Sequence, residues 1–453
     1  MSESASTIEP TTTHAFVRRE PFGRKALNPR PKLLFLAYFF PPVNASACVR
    51  TWNIAKHLSR LGWDVTVVTP EASVWRRAEH SEEVDSQLRA EGIHRITTGH
   101  RWRFLRPEYL ACSRQNIRWL IGGGFRRIAG GLGVDKAIGW IREAEAACRR
   151  IPRKEVDLVL ATGTPFITFR LAKRLAVNFR CPYVLDYRDP WTGNPHADRP
   201  PSRSAFRAET KLLAQCAAAT IVSPSWALEM DRSFSLGTKL HVVSNGYDPE
   251  DLIDVTPYRF DHFAIVYTGT FYPPKRVVTP VMAALKRVTE MKDGEAAANW
   301  YFHYYGPHEK HFMEVAKSFA LTDRVVSHGV VSRAEALSAV CGAGVAVVIT
   351  SVSEDGGLPD KGIVTGKIFE TLGLNTPVLL VAPSASDAER VVSTTGLGRV
   401  FTGNDIDGMA SFLKDLMHGR TPVLKQPQAY AWENIIKELN TILRDAVGKN
   451  GHR

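Results

Sequence analysis

Short, almost wholly apolar runs alternate with segments whose apolar residues recur at helical spacing, and this pattern constrains the fold more than any other feature of the chain. Lys32–Phe40 (KLLFLAYFF) ends at Pro41-Pro42 and reads as a strand buried on both faces. Val49–Leu61 repeats its apolar residues every three or four positions and stops at Gly62, as a helix does. Asp64–Thr69 then reads as a second strand, completing a β-α-β unit. The alternation resumes with strands at Val156–Ala161, Tyr183–Asp186, Thr220–Ser223 and His241–Ser244, and helices at Phe166–Val177 and Ser204–Ala218.

A second series comes next. Its strands are Phe263–Tyr267, Trp300–Tyr305, Arg324–His328, Gly344–Ile349 and Pro377–Val381, and its helices are Val278–Lys292, His311–Phe319, Arg333–Ala339 and Gly366–Leu372. Strands alternating with helices make parallel sheets covered on both faces. With 453 residues the chain is too long for one ordinary core. The expected fold class is therefore α/β, with two doubly wound, Rossmann-like domains facing a central cleft and joined near 247–262. Ligands of such sheets bind beyond the carboxyl ends of the strands, so the loops there should hold the chemistry.

Composition narrows the function classes. The longest early apolar run, Leu33–Phe40, is far short of the roughly 20 residues of a membrane-spanning helix. Residues 1–29 are polar and aperiodic and read as a disordered tail, with Glu3 and Glu9 where a secretory signal would be basic and apolar. Cys48, Cys112, Cys148, Cys181, Cys216 and Cys341 show no metal or redox spacing, and buried free thiols in a reducing cytoplasm are expected. His308 and His311 lack a second ligand pair, so no metal site is expected. Charge is uneven. Residues 1–200 carry 32 Lys and Arg against 19 Asp and Glu, a net +13, while residues 201–453 carry 26 against 27. A basic half suggests an anionic partner. Within it, Trp102–Ile151 mixes Trp102, Phe104, Leu105, Trp119, Leu120, Ile121 and Phe125 with arginines, a composition suited to an anionic membrane surface or to a solvated basic face over buried aromatics.

A dinucleotide-binding dehydrogenase is excluded by the first loop, which has no glycine between Phe40 and Gly62. The glycine-rich stretch 122–133 comes after no clear strand. More informative is DGGLPDKGIVTGKIFETLGLNTPVLLVA (355–382). Lys367 and Glu370 lie three apart, on one face of a helix. That pairing reads either as a surface ion pair or as a site for a ligand bearing both phosphate and hydroxyl groups.

Motifs along most of the chain decide between these readings. FPPVNASACVR (40–50), VVSNGYD (242–248), YTGTFYPPKR (267–276), HYYGP (303–307), HGVVSRAEAL (328–337) and GKIFETLGLNTPVLL (366–380) occur in this order. Together they resemble the retaining, nucleotide-sugar-dependent glycosyltransferases of family 4, which have the GT-B fold. YVLDYRDPWTGNP (183–195) resembles a branch with an Arg-Asp-Pro-Trp loop found in surface-polysaccharide assembly. Two departures stand out. Arg188 stands near the place where many members carry a histidine, and Gly362 stands where the first carboxylate of a Glu-x(7)-Glu pattern would fall.

The resemblance implies a glycosyltransferase that moves a sugar from a nucleotide-sugar donor to a glycan or lipid-linked acceptor with retention of configuration. It would use neither cofactor nor metal, and would not act on nucleic acid. It would be cytoplasmic, at the inner face of the membrane. A nucleotide-sugar epimerase of the same fold is the second reading; a non-catalytic membrane- or nucleic-acid-binding protein is the third. The implied domains are 30–246 on the acceptor side and 263–427 for the nucleotide sugar, with a helix over 428–447 returning to the first. Arg188, Asp189 and Lys275 are the expected catalytic groups. Gly269, Lys275, Arg276, Gly366, Lys367 and Glu370 are expected to bind the donor. Cations and backbone N–H groups would stabilise the leaving diphosphate, and the Glu370 carboxylate would accept both hydroxyls of a ribose diol. Asn44, Ala45, Thr162 and Thr164 are expected on the acceptor side.

Overall fold

The computed structural model describes residues 30–43, 45–75, 81–101, 135, 137–195, 201–291, 299–354, 356–425 and 427–450. It contains two parallel sheets. The first has seven strands: β1 (Lys32–Leu36), β2 (Asp64–Pro70), β3 (His94–Thr98), β4 (Leu158–Gly163), β5 (Tyr183–Tyr187), β6 (Ala218–Ile221) and β7 (Leu240–Val242). Their order is β3-β2-β1-β4-β5-β6-β7. The second has β8 (Phe263–Thr268), β9 (Trp300–Tyr305), β10 (Val325–Gly329), β11 (Val345–Ile349), β12 (Val378–Val381) and β13 (Gly398–Phe401), in the order β10-β9-β8-β11-β12-β13. Every pairing is parallel. Strand order reverses between β1 and β4 in one sheet and between β8 and β11 in the other, the switch points where open α/β sheets bind ligands.

The central strands are buried on both faces, which is why they read as continuous apolar runs. β1 puts Leu34 and Leu36 into one core and Leu33 and Phe35 into another. The C-terminal helix, Trp432–Asn450, packs on this second core through Trp432, Ile436, Leu439 and Leu443. Of the four edge strands, β3 and β13 have no such run. Their sequences, HRITT and GRVF, are largely half-exposed or exposed, so the apolar signal that marks the centre of each sheet is missing there.

Of the stretch Trp102–Ile151, residues 102–134 lie outside the described residues, and with them all seven of its aromatic and aliphatic residues named for a membrane surface. The helix Ile138–Cys148 comes next. It buries Trp140, Ile141 and Ala144 in the first core, and the Trp140 indole N–H donates to Thr98 Oγ1 at 2.8 Å. Cys48, Cys148, Cys181, Cys216 and Cys341 form no disulfide. Burial pushes the Cys148 and Cys216 thiols up to about 12, which leaves them inert. No helix among the described residues is long and apolar enough to cross a membrane.

The chain passes between the halves twice, and the two passages are bonded side by side. Tyr247 N–H donates to Tyr430 O at 3.0 Å, and Trp432 N–H donates to Tyr247 O at 2.9 Å. Away from this pair, the helix Pro224–Phe234 of the first half docks on the second. Trp226 Nε1–H donates to Pro359 O at 2.7 Å, and Ser225 N–H donates to the buried Asp387 carboxylate at 2.7 Å.

Candidate functional site

The carboxyl ends of the two sheets enclose a cavity of about 1000 Å³, ample for a nucleotide-sized ligand. On the second-half side it is shaped by the helix Gly366–Gly373, whose Ile368, Phe369, Thr371 and Leu372 are buried. The remaining face turns Lys367 and Glu370 to the cavity. Sequence spacing alone foresaw the shared face but not the partners. Glu370 accepts from Arg333 Nη2 at 3.1 Å, and no carboxylate lies within ion-pair distance of Lys367 among the described residues. Burial pulls the Lys367 ammonium below its usual range, against the opposing pull of Glu370 and with a further push from Arg276 and Arg333. A group in that state gains when an anion arrives.

Gly269 follows β8 at φ +136°, and a Cβ there would lie 2.8 Å from Lys367 Cε. The position needs glycine on both counts, and the lysine stem passes over it. Arg276 also lines the cavity. Its guanidinium sits 5.2 Å from the Tyr272 ring centroid, and its buried Nε has no hydrogen-bond partner. The adjacent Lys275, expected on a phosphate, does not line the cavity. Its ammonium is held by both oxygens of Asp360, at 2.8 and 3.0 Å. Gly366 lines the cavity with open space where a Cβ would be. At the helix start, Thr365 Oγ1 is buried without a partner.

Gly362 serves a different purpose from close approach to a ligand. A Cβ there would fall 2.2 Å from Trp226 Cδ1, so the absent side chain makes room for an indole of the other half. Trp226 itself lines the cavity.

From the first half come Ala45, Arg188 and Asp189; Asn44 lies outside the described residues. Arg188 donates from Nε to Gly163 O at 3.2 Å and from Nη2 to Thr164 O at 2.5 Å, and lies 5.6 Å from the Phe39 ring centroid. Burial lowers the pKa of its guanidinium, opposed by Asp189 and Asp186. Thr164 thus holds Arg188 by its carbonyl and is not at the cavity wall. Thr162, expected at the cleft, is 2% exposed and donates to Asp186 Oδ2 at 2.8 Å.

Asp186 and Arg50 are the pair that sequence reasoning missed. Asp186 is fully buried and binds Arg50 through both carboxylate oxygens, at 2.6 and 3.1 Å, and also accepts from Thr220. Burial opposes its charge, but Arg50 and the two threonine hydroxyls outweigh it and hold its pKa below the usual carboxylate range. Arg50 donates onward to the carbonyls of Val243 and Ser244 and to Asn245 Oδ1. It therefore ties the first helix to the loop that leaves the first half. A charged residue inside the apolar spacing of Val49–Leu61 was the available signal.

Among the described residues no group of three or more His, Cys, Asp or Glu side chains could hold a metal ion.

Residues 47–246 match the family model described as a glycosyl transferase 4-like domain. No curated protein sequence matches the chain. Among solved structures, the sucrose-phosphate synthase of Thermosynechococcus elongatus superposes with a TM-score of 0.58 at 13% identity, over 93% of this chain and 98% of that one. Anabaena HepE in complex with UDP gives 0.53 at 13% identity, over 93% and 98%. The lipopolysaccharide outer core galactosyltransferase WaaB gives 0.53 at 13% identity, over 91% and 99%. The family-model match does not favour the epimerase reading. Residues 47–246 are thus similar to a glycosyl transferase 4-like domain, and the chain has the fold of two parallel-sheet, Rossmann-like α/β domains that these GT-B neighbours share.

Proposed function

We propose that the protein transfers a glycosyl group, with retention, from a nucleotide sugar bound in the cavity to an acceptor entering from the first-half side. One observation carries this reading. Lys367, Arg276 and Arg188 line one cavity, none within ion-pair distance of a carboxylate among the described residues, beside the carboxylate of Glu370. A diphosphate would supply the missing counter-charge, and the groups aimed at it would stabilise the charge that grows as it leaves. Glu370 would exchange part of its bond to Arg333 for a ribose diol. The bond from the anomeric carbon to the diphosphate breaks as the acceptor oxygen bonds to the same face, and the acceptor proton passes to a departing phosphate oxygen. No metal is needed in this scheme. Asp189 would bind the acceptor or the donor sugar; it lines the cavity, as Ala45 does. Lys275 would act through Asp360, holding the Leu358–Lys361 turn.

HepE was solved with UDP and with UDP-glucose, which supports a nucleotide-sugar donor here. The charge of residues 1–200 supports an anionic acceptor, a lipid-linked or surface-polysaccharide precursor at an anionic membrane face. The direct test is calorimetric titration with UDP and GDP, followed by assay for free nucleotide released from the matching nucleotide sugars. Absence of binding by every nucleoside diphosphate tried would overturn the reading. Sedimentation with anionic vesicles at low salt tests the membrane part separately.

A further inference from the structure

The loop Arg188–Asn194 carries Asp189 and Asn194 to the cavity wall, and one buried carboxylate holds its middle. Thr192 donates to Glu209 Oε2 from its backbone N–H at 3.1 Å and from Oγ1 at 2.6 Å. Glu209 lies on the helix Arg203–Gln215 and is 2% exposed. Beside Thr192, Trp191 stacks on Phe166 at 5.3 Å with the rings 8° apart. At its start the loop is anchored by Arg188 on Gly163 O and Thr164 O; its middle is held by the Trp191 ring contacts and by one doubly accepting carboxylate oxygen, and of these the carboxylate is the tie that changes with pH.

We propose that Glu209 is the positioning residue of this loop, and that its ionised form sets Asp189 and Asn194 for the acceptor while its neutral form relaxes them. The proposal deepens the transferase reading and rests on it for its consequence in turnover. The chemistry is direct: a carboxylate accepts two hydrogen bonds from Thr192 far more strongly than a neutral carboxyl does. The surroundings supply the switch. Burial pushes the Glu209 carboxyl up to about 7, only partly offset by Thr192 and Tyr187. Tyr187, from β5, is the titratable group that faces it. Tyr183 and Cys216 lie beyond Tyr187 and act on that phenol. Among the described residues, none of the cations of the neighbouring helices forms an ion pair with it, neither Arg170, Lys173 and Arg174 on Ile167–Phe179, where Arg174 pairs with Glu145, nor Arg207 and Lys211 on its own helix. Glu209 therefore changes charge near neutrality, and among the described residues no ion-pair partner holds it charged.

The test is amide hydrogen exchange of the intact protein at pH 6 and pH 8, corrected for intrinsic rates and read on peptides spanning 188–195. Wild-type protection should be roughly tenfold greater at pH 8. Glu209→Gln should abolish that difference and match the weaker, pH 6 level. Thr192→Val, which keeps shape but removes the hydroxyl donor, should lower protection at pH 8 and serves if the first variant does not fold. The second readout is nucleotide release from whichever UDP- or GDP-sugar binds. Its rate should rise through pH 7 in the wild type and be flat in Glu209→Gln. Equal, pH-independent protection in wild type and both variants would overturn the proposal, as would a wild-type rate that ignores the change in protection. If no nucleotide sugar binds the wild type, the transferase reading fails, and the exchange data still decide whether Glu209 sets the loop.

Discussion

Glu370 is bonded to Arg333 at 3.1 Å, while Lys367, one helical turn before it, faces the same cavity with no carboxylate within ion-pair distance among the described residues. The side chains that sequence spacing would join to each other are therefore divided between two tasks. Replacing Glu370 by Gln keeps the shape and removes charge-assisted bonds worth about 1.5–3 kcal/mol each. Affinity for the nucleoside diphosphate should fall roughly tenfold or more with the melting temperature unchanged. Calorimetry on both proteins decides, and equal affinity would make the pair with Arg333 purely structural.

Lys367→Met should weaken the nucleoside diphosphate more than the nucleoside. Because burial already lowers the lysine's pKa in the free protein, an arriving diphosphate should raise it and draw a proton from solution at alkaline pH. The affinity should therefore decline as pH rises through the free protein's lowered value, earlier than an ordinary lysine would give. Titration in two buffers of different ionisation enthalpy measures the uptake, which the Met variant should lack.

Gly362→Ala places a methyl carbon 2.2 Å from Trp226 Cδ1. The indole must shift or the halves must part, a cost of about 1–3 kcal/mol. Denaturant unfolding should show the loss, and Trp226→Phe in the same chain should recover part of it.

Asp186→Asn leaves Arg50 buried with its charge uncompensated, which costs about 3–5 kcal/mol. The wild-type group has a lowered pKa, so its contribution is present above the unfolded value and is lost as pH falls through the folded one. The variant's denaturant midpoint should be lower at neutral pH, and its gap from the wild type should narrow in acid.

Glu209 has the opposite sign. Its folded pKa, about 7, exceeds the ordinary glutamate value of 4.5, so it binds its proton more tightly when folded. That stabilisation is complete below the lower value and is lost as pH climbs through the upper one, by about 3 kcal/mol in total. Glu209→Gln should flatten the stability profile between about pH 5 and 8.

The parallel sheets were legible because central strands are buried on both faces and leave continuous apolar runs such as LLFL and VAVVI. Two of the four edge strands, β3 and β13, were not, because HRITT and GRVF have water on one side. The Lys367–Glu370 face was legible because it follows from helical geometry alone. Arg50 with Asp186, and Trp226 with Gly362, were not, since each joins residues more than a hundred positions apart and no local spacing encodes such a meeting. Lys275 illustrates the converse: its place beside Arg276 suggested a shared target, but it sits in the tight turn closed by the Tyr272–Arg276 bridge, which sends its ammonium to Asp360 instead.

The two passages of chain between the halves are bonded to each other at Tyr247, Tyr430 and Trp432. A single connecting strand would act as a swivel. Two strands laced together act as a strap, which bends readily about one axis and resists twisting. Away from this strap the halves are joined again by Trp226 on Pro359 and Ser225 on Asp387. Parting the halves costs those two bonds and the seat of the Trp226 indole over Gly362, so strap and clasp together make separation of the halves a cooperative event.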